Sequence, residues 1–135
     1  CYMDGGQPDD GEMDTQQFKT ALDKLAEMKV FHIAMGGGEA LERADLFELA
    51  QYARDIGLVP NLTVSGLNIT EEVAKQMTVF GQVNVSLDHV ETGTEQHENR
   101  FRGESHFQRV DRAIGHLTAA ELAQITGGKK RAGAR

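Results

Sequence analysis

Small and acidic residues with possible chemical roles stand at three points in this sequence, each at the end of an apolar segment. They are Gly36-Gly37-Gly38-Glu39, Ser65-Gly66 and Ser86-Leu87-Asp88. Glycine lets the backbone approach a ligand closely and leaves its N–H and C=O groups accessible. These points are therefore the first candidates for a ligand-binding site.

The apolar segments are predicted to be β-strands, over Val30–Met35, Val59–Val64 and Gln82–Leu87. Helical segments separate them, and strands that alternate with helices at this spacing indicate right-handed crossovers and a parallel sheet. In parallel α/β folds, ligands bind beyond the carboxyl ends of the strands. Because the candidate points lie at those ends, their position predicts a site independently of any family.

The helices are predicted from apolar residues that recur at three- and four-residue spacing. In chain order they are Asp14 or Thr15 to about Met28, Ala44–Ile56, Thr70 to near Gly81, a helix from Ser105, and a separate short helix Ala119–Ile125 that ends at Gly127-Gly128. The apolar faces of the second and fourth helices are formed by Leu46, Leu49, Ala50 and Ala53, and by Phe107, Val110, Ile114 and Leu117.

Composition and charge exclude several classes of function. The net charge is −7, and an acidic chain argues against nucleic-acid binding, which needs a clustered basic face. No apolar run approaches the length of about 18 residues that suggests a membrane helix. The single cysteine, Cys1, excludes an internal disulfide and fits a reducing compartment, so a cytoplasmic protein is expected. The basic segment Lys129-Lys130-Arg131 is interpreted as a solvated end.

Other chemistries fit the sequence less well. The glycines do not form a dinucleotide-binding fingerprint, because its third glycine would fall at Leu41, and no P-loop lysine follows them. Ser86 lacks the motif that surrounds a hydrolase nucleophile. The histidines show no paired spacing typical of zinc ligands, and His32, in a predicted strand, is interpreted as a packed core residue. The glycines alone are equally compatible with a tight strand-to-helix turn.

Taken together, the motifs resemble the core of the radical S-adenosylmethionine (SAM) superfamily, closest to its peptide-modifying and cofactor-maturing branch. In that family a Cys-x-x-x-Cys-x-x-Cys loop holds a 4Fe-4S cluster. Later segments read Gly-Gly-Glu-Pro-Leu, Thr-Asn-Gly, Val-Ser-Leu-Asp-Gly and His-Asp-x-x-Arg-Gly. The corresponding segments here are Cys1-Tyr2, Gly37-Gly38-Glu39-Ala40-Leu41, Val64-Ser65-Gly66, Val85-Ser86-Leu87-Asp88-His89 and Glu98-Asn99-Arg100-Phe101-Arg102-Gly103. The typical pattern after the glycines continues with Arg43, Asp45 and Leu46.

The resemblance implies a role for each matching residue. Cys1 would be the third cysteine ligand of the 4Fe-4S cluster, which requires thiolates. Gly37, Gly38 and Glu39 would hold the methionyl amino group of SAM, where a carboxylate suits an ammonium. The ribose or carboxylate region of SAM would be contacted by Ser65 and Ser86, and its carboxylate would pair with Arg102.

The resemblance also implies an activity and partners. A radical SAM enzyme uses its cluster to cleave SAM reductively to a 5′-deoxyadenosyl radical, which abstracts hydrogen from the substrate. The implied substrate is a peptide or a small-molecule cofactor precursor, and the electron donor is a protein such as flavodoxin or ferredoxin. No nucleic-acid or membrane partner is expected.

The implied fold is a partial (β/α)6 TIM-like barrel of parallel strands, with the first and last strands missing. Residues 1–117 would form a partial radical SAM core domain, and residues 118–135 a divergent short helix and basic tail. Two of the three cluster cysteines are absent, and Ala40 and Ser65 depart from the family residues. The chain alone is therefore expected to be inactive, and its exposed sheet edges should favour association. Two alternatives stay open: a non-catalytic flavodoxin-like α/β binding module, and a degenerate SAM-binding partner protein.

Overall fold

Helices and strands alternate along the chain, as the sequence predicts. The computed structural model describes residues 11–86 and 106–132, with the side chains of the last helix described from 108 to 121. The elements are α1 (Thr15–Glu27), β1 (His32–Met35), α2 (Leu46–Asp55), β2 (Val59–Val64), α3 (Glu71–Gln76), β3 (Gln82–Val85) and α4 (His106–Ala132). Short 3-10 turns over Ala40–Glu42 and Met77–Val79 precede α2 and follow α3.

The strands form one open three-stranded sheet whose spatial order, β1-β2-β3, is also their order in the sequence. β1 and β2 are parallel, and their register pairs His32 with Val59 and Met35 with Leu62. Sequential parallel strands are expected in a TIM-like barrel, because each crossover helix carries the chain to the next strand in the same direction. The predicted α/β class and partial barrel are confirmed. A reordered, flavodoxin-like sheet does not occur among the described strands.

Two compact units can be distinguished, and each has its own core. The first unit contains the described residues up to Val64 together with Val79–Asn84. The second unit contains Ser65–Thr78 and the described residues from Val85 onward. The predicted site residues are therefore divided: Gly37 to Glu39 lie in the first unit, whereas Ser65 and Ser86 lie in the second.

The core of the first unit lies between α2 and the sheet. The four residues predicted to share one face of α2 are all buried, and they are Leu46, Leu49, Ala50 and Ala53. This face packs on β2, whose alternate residues Pro60, Leu62 and Val64 are buried as well. Full burial of a leucine side chain contributes roughly 1.5–3 kcal/mol. The helix is therefore held by this face, whose period the sequence displays.

The start of α1 is defined by a reciprocal pair of hydrogen bonds. The Asp14 carboxylate accepts a hydrogen bond from the backbone N–H of Gln17 at 2.8 Å, and the Asp14 N–H donates to Gln17 Oε1 at 2.9 Å. Such a capping box satisfies two N–H groups that have no partner within the helix. Of the two predicted caps, Asp14 and Thr15, the helix uses Asp14.

In the second unit α3 packs against α4. Gly66 lies close to two valine side chains of the same unit, those of Val85 and Val110. A Cβ atom added to Gly66 would lie 2.8 Å from Val85 Cγ1 and 2.9 Å from Val110 Cγ2. The backbone of Gly66 also has φ +87°, which L-residues with side chains rarely adopt. Glycine is therefore required at this position for two independent reasons.

Two predictions about the last helix are wrong. The separate helix Ala119–Ile125 does not exist, because α4 runs unbroken through Gly127-Gly128 to Ala132. A glycine pair ends a helix only when it leaves helical backbone, and in a helix it costs only about 1 kcal/mol per glycine. Of the predicted apolar face, Val110 is buried as predicted, but Ile114 is 44% exposed, and Ala113, which was not predicted, is buried.

Whether residues 118–135 fall outside the core domain stays a prediction. The helix α4 is 27 residues long. Neither it nor any other helix in the described ranges is long and apolar enough to cross a membrane.

Candidate functional site

Each strand ends directly before one of the three candidate points. Gly36, Ser65 and Ser86 immediately follow the last residues of β1, β2 and β3. β3 ends earlier than the predicted strand Gln82–Leu87, and Leu87 and Asp88 lie outside the described residues. The carboxyl ends of parallel strands are where α/β folds bind ligands.

The loop after β1 has an unusual backbone that is open to a ligand. Gly37 has φ +108° and Gly38 has φ +39°, conformations that residues with a Cβ atom seldom adopt. A Cβ atom added to Gly37 would meet no atom within 4 Å. The glycine therefore serves the backbone conformation and not a tight contact, and the space beside it leaves the main chain accessible.

Glu39 follows the glycines and begins the 3-10 turn Ala40–Glu42. Its carbonyl oxygen accepts a hydrogen bond from the N–H of Glu42 at 3.0 Å. The residue is half-buried, and the carboxylate oxygen Oε1 is shielded from solvent. Shielding strengthens the attraction between a carboxylate and a cation, because less water competes for either charge.

The residues after β1 fit the amino end of SAM. An accessible main chain at Gly37 supplies hydrogen-bonding groups, and the partly shielded Glu39 carboxylate supplies a negative charge for an ammonium. The same arrangement suits any small ligand that carries a primary ammonium.

Arg43 and Asp45 form a charged pair close to this turn. Arg43 Nε lies 2.7 Å from Asp45 Oδ1, and Arg43 Nη2 donates a hydrogen bond to Asp45 Oδ2 at 3.0 Å. Burial acts to raise the pKa of the Asp45 carboxyl, but the hydrogen bonds from Thr15 and Arg43 and the Arg43 charge outweigh it. The pKa of Asp45 is therefore held below its usual value. The sequence contained these residues as part of a motif, but it indicated no role for them.

Ser65 and Ser86 belong to the second unit. Residues next to each of them in the sequence, Gly66 and Val85, lie close together. Ser65 Oγ accepts a hydrogen bond from the N–H of Leu67 at 3.2 Å, within a tight turn. Gly66 lies against the side chain of Val85, the residue before Ser86. The ends of β2 and β3 are therefore adjacent at this point.

Two predicted site residues, Cys1 and Arg102, lie outside the described residues. Within residues 11–86 and the described part of α4, no group of three His, Cys, Asp or Glu side chains is placed to hold a metal ion. The predicted cluster ligand and the predicted partner of the SAM carboxylate thus stay predictions.

The interpretation of His32 as a core residue is wrong. His32 is exposed, and its Nδ1 atom lies 3.5 Å from Asn61 Nδ2 on the neighbouring strand. In β1 the exposed positions His32 and Ala34 alternate with the more buried Ile33 and Met35. A four-residue strand is too short for its sequence alone to indicate which alternate face is covered.

Comparison with known proteins gives consistent matches. Residues 1–129 match the family model described as Radical SAM superfamily. Mycofactocin maturase MftC of Mycobacterium tuberculosis is 33% identical over 125 residues, 93% of this chain and 32% of that protein. PqqA peptide cyclase of Bradyrhizobium diazoefficiens is 37% identical over 84 residues, 61% of this chain and 22% of that protein. AdoMet-dependent heme synthase of Methanosarcina barkeri is 33% identical over 113 residues, 83% of this chain and 32% of that protein.

The chain spans about a third or less of the length of these curated relatives.

Proposed function

Because the chain belongs to the radical SAM superfamily, we propose that it carries part of the SAM-binding surface of an enzyme that modifies a peptide. The predicted family and the prediction of an enzyme are confirmed by the family match and by relatives named as a maturase, a cyclase and a synthase. The proposal adds the ligand, the residues that bind it and the class of substrate.

The observation that supports SAM binding most strongly is the loop Gly37-Gly38-Glu39. Positive φ angles at both glycines and the open space beside Gly37 leave the main chain accessible. The Glu39 carboxylate, with one oxygen shielded from water, follows directly. We expect the carboxylate to pair with the methionyl ammonium of SAM, and the loop backbone to orient it by hydrogen bonds.

The other proposed contacts are two serines that follow β2 and β3, together with Arg102 and Cys1. Ser65 and Ser86 would contact the ribose or carboxylate region of SAM, and Arg102 would pair with the SAM carboxylate. Cys1 would supply one thiolate to a 4Fe-4S cluster. When bound, the cluster and SAM would supply the radical chemistry that removes a hydrogen atom from the substrate.

The residues of this chain would contribute binding and orientation to that chemistry. Glu39 would fix the amino end of SAM, and a partly shielded carboxylate suits this role because less water competes with the ammonium. Correct orientation matters because misplacing a reacting group by about 1 Å can slow a reaction about 100-fold.

A peptide is the proposed substrate. One relative is named a PqqA peptide cyclase, and others are named mycofactocin maturases. A relative named AdoMet-dependent heme synthase makes a small-molecule cofactor precursor the alternative. Candidate peptides and porphyrin precursors can be added in turn to the protein expressed anaerobically from its complete natural reading frame. Measuring 5′-deoxyadenosine formation with each then distinguishes the two classes of substrate.

We also propose a cytoplasmic enzyme that receives electrons from a protein such as flavodoxin or ferredoxin. The support is chemical: a cluster held by thiolates and supplied with low-potential electrons is best maintained in a reducing compartment.

The decisive experiment is the affinity of SAM for a Glu39→Gln variant. The protein is expressed anaerobically from its complete natural reading frame, and SAM binding is measured by equilibrium dialysis with labelled SAM. Removing the charge should weaken binding at least about tenfold, the effect of losing a hydrogen bond to a charged group.

Glu42→Gln is the matched control, because Glu42 is an exposed glutamate in the same turn. This variant should bind SAM as tightly as the unmodified protein. Equal SAM affinity in the Glu39→Gln and Glu42→Gln variants would contradict the proposed contact between Glu39 and the SAM ammonium. Iron analysis of the same samples separates an enzyme from a degenerate SAM-binding partner, which would bind SAM without a cluster.

A further inference from the structure

The segment that joins β1 to α2 has little regular structure of its own. Between Gly36 and Asp45 the only regular element is the 3-10 turn Ala40–Glu42. Its hydrogen bonds run from Glu42 N–H to the Glu39 carbonyl at 3.0 Å and from Arg43 N–H to the Ala40 carbonyl at 3.2 Å. Glu39 and Arg43 thus stand at the two ends of one short turn, and whatever fixes Arg43 also restricts Glu39.

Arg43 is fixed by contacts with the beginning of α1. Its Nη2 atom donates a hydrogen bond to the carbonyl oxygen of Met13 at 3.1 Å. Its guanidinium carbon lies 5.2 Å from the centre of the Phe18 ring, a cation–π distance. The side chain therefore connects the turn to a helix about thirty residues earlier in the sequence.

Asp45 completes this arrangement from the other side. It pairs with the guanidinium through both carboxylate oxygens, at 2.7 Å and 3.0 Å. Asp45 Oδ2 also accepts a hydrogen bond from Thr15 Oγ1, in the first turn of α1, at 2.6 Å. We refer to Arg43, Asp45, Thr15, Phe18 and the Met13 carbonyl as the Arg43 clamp.

Other contacts already hold α1 and α2 together. Lys19 Nζ lies 2.6 Å from Glu48 Oε1, and the Tyr52 hydroxyl donates to Asp23 Oδ1 at 2.7 Å. The buried faces of both helices add to this packing. The particular contribution of the Arg43 clamp is therefore the attachment of the turn itself.

We propose that Arg43 is a positioning residue for SAM binding, which holds the turn so that Glu39 is placed to receive the ligand ammonium. The inference rests on the proposed function, since it presumes that Glu39 contacts SAM. A planar guanidinium can bond a carboxylate with two parallel contacts, stack on a ring and still reach a carbonyl. A lysine at this position provides only a point charge and would reproduce part of the clamp.

The test measures SAM affinity and the protection of backbone amides from hydrogen exchange, in the protein expressed from its complete natural reading frame. Arg43→Ala should weaken SAM binding about tenfold, as expected when a hydrogen bond to a charged group is lost. Arg43→Lys should recover part of the loss. Hydrogen exchange should become faster at backbone amides 37–42 in Arg43→Ala, whereas the amides of α2 should keep their protection.

A double substitution determines whether Arg43 acts through Glu39. If it does, adding Arg43→Ala to Glu39→Gln should weaken SAM binding by less than about twofold, because the affected contact is already lost. If the double variant instead binds SAM about tenfold more weakly than Glu39→Gln alone, the inference is overturned, since Arg43 would then act independently of Glu39. Unchanged SAM affinity in Arg43→Ala would overturn it as well.

Arg54→Ala is the matched control, because Arg54 is an exposed arginine of the first unit that donates to a backbone carbonyl, that of Val79, at 2.8 Å. It should leave SAM affinity and the exchange of amides 37–42 unchanged. If Arg43→Ala does not fold, Arg43→Lys and Asp45→Asn take its place in the same measurements. Normal SAM binding by Glu39→Gln would refute the proposed function, whereas the exchange data still report whether Arg43 holds the turn.

Discussion

Gly37 has a backbone conformation that restricts which residues can replace it. Gly37 has φ +108°, and open space surrounds it. A side chain at this position would therefore meet no neighbour, but it would strain the main chain. Gly37→Ala should lower the free energy of unfolding by about 1–3 kcal/mol, the cost of a residue held in a rarely populated conformation. Chemical denaturation measures this change.

Gly36→Ala is the control for Gly37→Ala. A Cβ atom at position 36 would lie 3.7 Å from Thr63 Cβ, an ordinary contact, and Gly36 does not have a positive φ angle. The free energy of unfolding of the Gly36→Ala variant should stay within about 0.5 kcal/mol of that of the unmodified protein. Equal losses for both variants would show that strain at Gly37 is not the cause.

Asp45 makes the stability of the first unit sensitive to acid. Its pKa is lowered in the folded protein by hydrogen bonds from Thr15 and Arg43 and by the Arg43 charge, which together exceed the opposing effect of burial. A carboxyl whose pKa is lower in the folded state stabilises the fold above its unfolded-state pKa, about 3.9. That stabilisation is lost as the pH falls through the folded-state pKa.

Asp45→Asn should therefore reduce stability at pH 7, by about 1–2 kcal/mol, and lessen its decline in acid. Urea denaturation at pH 7 and at successively lower pH values measures both effects. Thr15→Val, which removes one of the hydrogen bonds, should change the acid dependence in the same direction but less. An unchanged pH profile in Asp45→Asn would contradict this account.

At the scale of elements, the packing of Gly66 against Val85 and helix α4 within the second unit depends on the absence of a side chain at Gly66. An added Cβ atom would lie within 3 Å of both Val85 Cγ1 and Val110 Cγ2. These are short, branched side chains that cannot turn away easily. Gly66→Ala should therefore destabilise the protein by about 1–3 kcal/mol from overpacking, in addition to the strain of φ +87°.

Gly115→Ala provides the opposite expectation within α4. Nothing lies within 4 Å of an added Cβ atom there, and the residue is helical. Alanine should then raise stability by up to about 1 kcal/mol through its higher helix propensity. Thermal unfolding of both variants decides the matter, and a similar loss in each would disprove the proposed close approach at Gly66.

The sequence predicted those elements whose determinants are local and periodic. The α2 face of Leu46, Leu49 and Ala53 repeats at helical spacing, and all three are buried as predicted. The ends of β1 and β2 were likewise predicted, because their apolar runs stop at glycine or serine, whereas β3 ends at Val85 and not at the predicted Leu87. The end of α4 was not predicted either, since Gly127-Gly128 is compatible both with a stop and with continued helix.

Long-range contacts in the candidate site were beyond prediction from one sequence. The hydrogen bond between Thr15 and Asp45 joins residues 30 positions apart, and the bond from Arg43 to Met13 spans the same separation. Both depend on how α1 lies against α2, a packing that no short motif specifies. The resemblance of the sequence to a family could therefore propose Glu39 as a candidate ligand contact, whereas the contacts that Arg43 makes with Met13 and Phe18 required the structure.

For the whole molecule, ligand binding and unfolding are linked. A ligand that binds only the folded state at 100 times its dissociation constant raises the free energy of unfolding by about 2.7 kcal/mol. SAM should therefore raise the melting temperature of the protein expressed from its complete natural reading frame. Glu39→Gln, whose SAM binding should be weakened about tenfold or more, should lose about half of this shift or more. Adenosine, which lacks the ammonium, should affect both proteins alike. Equal stabilisation of both by SAM would argue against a contact between Glu39 and the ammonium.

The open space beside Gly37 also affects how this protein tolerates mutation. A recognition surface made of main-chain groups has no side chain to lose, so a substitution there harms it only by adding atoms or strain. At position 37 every replacement should be harmful to a similar degree, whatever its polarity. At position 39 tolerance should instead follow chemistry, with aspartate the nearest substitute for glutamate. The variation tolerated at these two neighbouring positions should then differ in kind, because position 37 is constrained by its backbone conformation, whereas position 39 would be constrained by the charge of the proposed ligand contact.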